Sequence, residues 1–171
     1  MADHSEEPLD PEQLAAYFAV MEVAGLLRHG VEEQLRDEGD LSFVQFQLLA
    51  VLGLDSPAGS RSMTELADRI VFSRSGLTYQ AGLLEKAGLV SRAPAAHDER
   101  GVTVSITAEG RERLERVLPG HVDVVRSLFL SALPAQGSAA LTELLAPVRD
   151  HMRSQPPRSR TPRRRRGSSR P

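Results

Sequence analysis

Cysteine and tryptophan are absent from the 171 residues, aromatic residues make up 4%, and a single lysine stands against 20 arginines. The lack of cysteine excludes disulfides, thiolate metal sites and thiol-based redox sensing. There is no run of 18 apolar residues, so no transmembrane span is expected. The N-terminus is acidic and polar, unlike a signal peptide, and the expected compartment is the cytoplasm. No GxSxG, phosphate-binding loop or HExxH pattern occurs, so no enzyme is expected. The five histidines (His4, His29, His97, His121 and His151) include no pair at the i, i+4 spacing of helical metal ligands. No cofactor and no metal are therefore expected.

What is present is a charge asymmetry beneath a net charge of −2. Residues 1–60 hold 12 acidic and 2 basic groups, whereas residues 153–171 hold 8 arginines and no acid. The intervening 61–116 segment is close to neutral, at +1. Residues 1–9 and 155–171 are too polar or too repetitive to bury apolar area, and disorder is expected at both ends. The arginine-rich tail could meet phosphates and steepen the salt dependence of binding, or simply hang free.

Between the ends, apolar spacing predicts helices. Asp10-Pro11-Glu12-Gln13 is a helix start, with Asp as cap, Pro at the first helical position and Gln at the third. Leu14, Phe18, Met21, Ala24, Leu27, Val31 and Leu35 continue it for roughly 25 residues at three- and four-residue steps. So long an apolar stripe on so small a chain points to burial against a second copy. Ser42 to Gln45 is another capping box, opening a short helix apolar enough to be buried nearly all round. Residues 55–60 read as a loop, and Thr64 as the cap of a helix over 64–71. After the hairpin described next, Thr107 caps a helix that Pro119 should kink, and Pro134 starts a last one, with Pro147 inside it.

Ser73 to Thr107 carries the most specific pattern. Ser73 caps a helix that Gly88 stops, and Leu77, Ala81 and Leu84 form its apolar stripe. At 100° per residue the opposite face holds Ser75, Tyr79, Gly82 and Lys86, with Thr78 on its flank. Short donors and acceptors, a cation suited to phosphate and a glycine giving room are what a helix needs in a DNA major groove. Leu89 to Arg92 reads as a short strand, and Val102, Val104 and Ile106 alternate with Thr103 and Ser105 as a second. Pro94 to Gly101 reads as a long projecting loop with Asp98 and Arg100 at its tip. An arginine there suits the focused negative potential of a minor groove, and Asp98 can orient it.

The string SRSxLTxxxxxLEKxGLV over Ser73–Val90, Asp98-x-Arg100-Gly101, and VxVSITxxG over Val102–Gly110 together resemble the winged helix-turn-helix of the MarR family of bacterial transcriptional regulators. Gln80 is a departure, standing near a stripe where the family usually carries an aliphatic residue. The resemblance implies a mainly α fold with a small β-wing, namely a winged helix-turn-helix (41–106) between a dimerisation helix (10–40) and C-terminal dimerisation helices (107–154). It implies a homodimeric, sequence-specific regulator, more repressor than activator, reading a pseudo-palindromic inverted repeat in double-stranded DNA. Ser73, Arg74, Ser75, Thr78, Tyr79, Lys86, Arg92, Asp98 and Arg100 would contact DNA, Tyr79 at backbone phosphate. A crevice between base and reading head would take a small aromatic or phenolic effector, with His29, Phe43, Phe46 and His121 as candidate lining. The rival reading is a winged-helix protein-interaction adaptor whose basic tail binds nucleic acid without sequence preference.

Overall fold

Helix α1 spans Pro11–Gly39 and begins with the expected capping box, in which Asp10 accepts from the Gln13 amide and the Gln13 side chain accepts from the Asp10 amide. The computed structural model describes residues 8–95 and 98–155; the side chains of 98–100 fall outside that description. The expected disorder of residues 1–7 and the arginine-rich run 156–171 likewise lie outside the described residues.

Only the C-terminal part of α1 enters the core, through Val31, Gln34, Leu35 and Gly39. Its first half leaves Tyr17, Phe18, Val20, Met21 and Leu26 more than half exposed. This changes one expectation. Although no uninterrupted apolar run exists, an 18-residue window of α1 reaches a mean hydropathy of 1.3, so by length and composition the helix could cross a membrane. The reason is that Glu22, Arg28 and His29 interrupt the run but are too few to offset the Leu, Val, Phe, Met and Ala residues around them.

Helix α2 (Phe43–Gly53) carries the Ser42–Gln45 capping box and leaves none of its residues exposed. Leu48, Leu49 and Leu52 are fully buried at the centre of the core, together with Leu66, Leu77, Leu84, Leu89, Val104 and Val117 from the elements around them. Strand β1 (Ser60–Ser62) and helix α3 (Met63–Arg69) follow. The sequence reading missed β1, because three polar residues carry no alternating pattern. It also misplaced the cap of α3, which is Ser62, boxed with Glu65, and not Thr64. Helix α4 covers Arg74–Lys86. Strands β2 (Val90–Ala95) and β3 (Asp98–Ile106) complete an antiparallel sheet of order β1-β3-β2.

Pro94 to Gly101 is not the open loop the sequence suggested. Pro94 pairs with Val102 and Ala95 with Asp98, so one step on β2 is matched by four on β3, and Glu99, Arg100 and Gly101 are extra residues in the ladder. Proline cannot donate to a ladder and sits where the register breaks. Over its described residues the wing is thus a paired ribbon whose register breaks between Pro94 and Ala95.

Helix α5 (Ala108–Leu128) runs through Pro119 and docks on α1, where Gln34 donates to the Val117 carbonyl at 3.0 Å and Arg113 to the Gly39 carbonyl at 2.6 Å. A short 3-10 turn, Leu130–Ala132, follows. The chain divides into two compact units at Ser131/Ala132. The second contains α6 (Gly137–Ser154), which runs through Pro147 and starts three residues later than Pro134. Pro134 instead accepts from the Gly137 amide, and Gln136, at φ 68°, precedes the helix without a side-chain cap. Leu144 and Met152 of α6 are each 69% exposed. The fold is mainly α with a small three-stranded wing, a winged helix-turn-helix.

Candidate nucleic-acid interface

Helix α4 is fixed from below. Leu77 and Ala81 are fully buried and Leu84 nearly so, which pins one face of α4 to α2 and the sheet. At its start the Ser73 hydroxyl accepts from the Gly76 amide at 3.1 Å. At its end Gly88 takes φ 76°, a left-handed cap that a Cβ would strain.

The opposite face therefore points outward by helical geometry alone. Arg74, Ser75, Thr78, Tyr79 and Lys86 are all exposed. Thr78 donates its hydroxyl proton to the Arg74 carbonyl at 2.9 Å. In that rotamer its oxygen can accept from a base amino group but cannot donate to phosphate. Between α3 and α4 lies a hollow of about 130 Å³ lined by Met63, Thr64, Ala67, Arg74 and Thr78. Gln80, on the flank of the stripe, has its Oε1 buried with no hydrogen-bond partner among the described residues.

Arg92 does not stand free on β2. Its Nε and Nη2 both donate to Oε2 of Glu85, at 2.8 and 2.5 Å, and its backbone amide donates to Oε1 at 3.2 Å. The Arg92 hydrogen bonds hold the Glu85 carboxyl below the usual carboxylate range. The sequence reading named Arg92 and missed Glu85, although the two opposite charges stand only seven residues apart. It missed a second anchor as well, since Asp55 pairs with both Arg61 of β1 and Arg69 of α3. Asp98 and Arg100 lie on β3 by their backbone, with side chains beyond the described set; His97 is outside it altogether.

The four candidate effector residues do not line a single crevice. A crevice of about 770 Å³ is lined by Arg36, Asp40, Phe43, Leu83, Leu89 and Arg113 among others, and Phe43 is the one candidate it contains. Leu83 of α4 walls this crevice. His29 is solvent-exposed and 3.6 Å from Glu33, its helical neighbour. Phe46 is buried and tilts against His121 with ring centroids 4.4 Å apart. Phe43 lies at the start of α2, where the helix borders the crevice, whereas Phe46 is on the buried side of the same helix and packs on His121. No group of three or more His, Asp or Glu residues could hold a metal among the described residues.

His121 gives a pH prediction. Its Nδ1 is buried without a partner among the described residues, and burial lowers its pKa below the ordinary imidazole value. As pH falls, the unfolded chain takes up this proton first. Acidification from about pH 7.5 to about 5.5 should therefore destabilise the native state, with no contribution from His121 at higher pH. His121→Phe keeps an aromatic ring against Phe46 and should flatten that part of a plot of Tm against pH. An unchanged plot would remove His121 from the acid response.

A family model described as "MarR family" matches residues 39–101. The transcriptional repressor YetL of Bacillus subtilis is 28% identical over 131 residues, covering 75% of this chain and 77% of that protein. Among solved structures, a MarR family transcriptional regulator of Streptomyces coelicolor, Sco3205, in complex with DNA, superposes with a TM-score of 0.82 at 32% identity, over 90% of this chain and 94% of that one. AbsC, also a MarR family regulator of Streptomyces coelicolor, gives a TM-score of 0.80 at 30% identity, over 87% and 99%.

Proposed function

This chain belongs to the MarR family of transcriptional regulators, and we propose that it works as a homodimeric, ligand-responsive repressor reading an inverted repeat in double-stranded DNA. Each protomer lays α4 in a major groove and brings Arg100 of the wing to the neighbouring minor groove. Two heads on one duplex require half-sites about one helical turn, roughly 34 Å, apart. The observation that carries this reading is α4 itself: one face is locked into the core while the other offers Arg74, Ser75, Thr78, Tyr79 and Lys86 to solvent.

Dimerisation is supported by the uncovered first half of α1. A membrane could cover apolar surface too, but Val31 and Leu35 commit the end of the same helix to a protein core, and Glu22 and Arg28 interrupt its middle. A second copy answers that arrangement better than lipid, and the cytoplasm, where the DNA is, remains the proposed location. The crevice, edged by Glu32, Arg36, Asp40 and Arg113 over Phe43, Leu83 and Leu89, suits a small aromatic or phenolic ligand. Such a ligand alters DNA affinity only by binding the two arrangements of the heads unequally.

The test is a gel-shift titration of the full chain against its own upstream DNA and against random duplex. Sequence-specific binding is expected, and Arg100→Ala should weaken it by about 1–3 kcal/mol with the circular dichroism spectrum unchanged. Undiminished specific affinity would take the wing out of recognition. Binding that is salt-sensitive but blind to sequence would favour the adaptor reading, to which the near-neutral 61–116 segment already lends weight.

A further inference from the structure

We infer that Glu85 is a positioning residue for DNA recognition: by gripping Arg92 it presents that guanidinium to the duplex beside Gly82, on the outward face of α4. The inference rests on the DNA-reading function proposed above and adds to it a residue and a role.

Three observations carry it. Glu85 and Arg92 come from different elements, the end of α4 and the start of the wing, and the carboxylate takes both the backbone amide and the guanidinium of Arg92. That double grip fixes the arginine at both ends. The destination is the second observation. A Cβ built on Gly82 would meet Arg92 Nη2 at 3.8 Å, Nη1 at 3.9 Å and Cζ at 4.0 Å, so the guanidinium lies over this glycine. At 100° per residue Gly82 falls between Thr78 on one side and Ser75, Tyr79 and Lys86 on the other. The arginine is thus carried from the wing onto the strip that faces the groove. Third, the group keeps capacity. Of its five N–H donors, Glu85 engages Nε and Nη2, and Nη1 has no acceptor among the described residues. The side chains of Arg92 and Glu85 remain 32% and 36% exposed.

Gly82 fits the same account. The contacts around it are ordinary ones, so nothing among the described residues forbids a side chain there. A helix interior nonetheless disfavours glycine, and the room it leaves is toward the outside, where the guanidinium and the duplex would meet.

Plain electrostatics predicts the opposite result from a substitution, which makes the inference easy to test. Removing a negative charge from a DNA-facing surface should strengthen binding at long range. If Glu85 instead positions Arg92, Glu85→Gln weakens recognition despite the gain in positive charge, because a freed arginine must be ordered again on binding. The full chain is titrated with the tightest duplex it selects from a random pool, and with unselected duplex, at several salt concentrations. Glu85→Gln is expected to lose about tenfold in affinity for the selected duplex and nothing for the unselected one. Arg92→Ala should lose at least as much, and lower the salt slope by about one. Arg92→Lys should keep the slope and lose the selectivity, because lysine offers no planar fork. In an Arg92→Ala background, Glu85→Gln should cause no further loss.

Unchanged or tighter binding by Glu85→Gln in the wild-type background overturns the inference. So does an equal loss with and without Arg92, which would mean that Glu85 acts on the wing's fold and not through the arginine. If the wild-type chain selects no duplex at all, the DNA-reading function fails first, and the failure is distinguishable because it appears before any substitution is made.

Discussion

Leu77→Ala should lower the melting temperature by about 4–20 °C, a large stability effect for a single change on α4. Leu77 is fully buried beneath α4. Truncating such a leucine costs about 2–5 kcal/mol, the lost transfer energy plus the cavity left behind. A chain of this size loses about 2–4 °C per kcal/mol. The whole stability of a domain is about 5–15 kcal/mol, so this one side chain carries a large share of it. The cost falls on the helix that presents the proposed DNA-contacting face, and the gap left beneath α4 lets that face shift. Val71, in the turn just before α4, supplies the contrast. It is 90% exposed, and Val71→Ser should stay within about 0.5 kcal/mol of the wild type. Thermal unfolding followed by circular dichroism checks both. A Leu77→Ala shift below about 2 °C would mean that α4 is not seated on the core as described.

Met21→Glu should separate the proposed dimer into protomers and abolish high-affinity operator binding while leaving each protomer folded. Met21 is 54% exposed on α1, among Tyr17, Phe18 and Leu26, and belongs to no part of the buried core. In a two-fold interface every substitution is counted twice. A central apolar contact is worth about 2 kcal/mol or more on each side, so the dimer dissociation constant should rise by about a thousandfold. Losing the dimer removes the second head, and a lone head keeps only its own half of the contacts. Sedimentation velocity over a range of concentrations measures the first effect, and gel shift the second. A wild-type chain that is monomeric at micromolar concentration, or a variant that dimerises as well as the wild type, would leave the apolar half of α1 to another partner. The two predictions are linked. If protomers are stable only as a pair, the Tm in the Leu77 experiment depends on concentration and must be compared at equal concentrations.

The parts of the fold legible in the sequence were those governed by neighbours along the chain. A cap reads a donor three residues away, so the starts of α1, α2 and α4 followed from Asp10, Ser42 and Ser73. A stripe repeats within one helix, so the buried Leu77, Ala81 and Leu84 and the exposed polar strip opposite them followed from period alone. Where two local signals competed, the reading slipped. Ser62 and Thr64 both qualify as caps for α3, and the approach of β1 to β3 decides for Ser62. Pro134 looks like a helix start, yet the chain uses it as an acceptor in the turn that precedes α6.

The sequence by itself determined which residues α4 turns inward and which outward, because 3.6 residues per turn leave no freedom once the apolar stripe is buried. It carried equally the long apolar stripe of α1, for which a second copy was the expected cover. Only the tertiary structure decided that Arg92 reaches back to Glu85 and over Gly82, that Phe46 is used up against His121, and that the wing closes into a ribbon. Each of these depends on two elements meeting across the core, and the distance between elements in space is written in no local spacing.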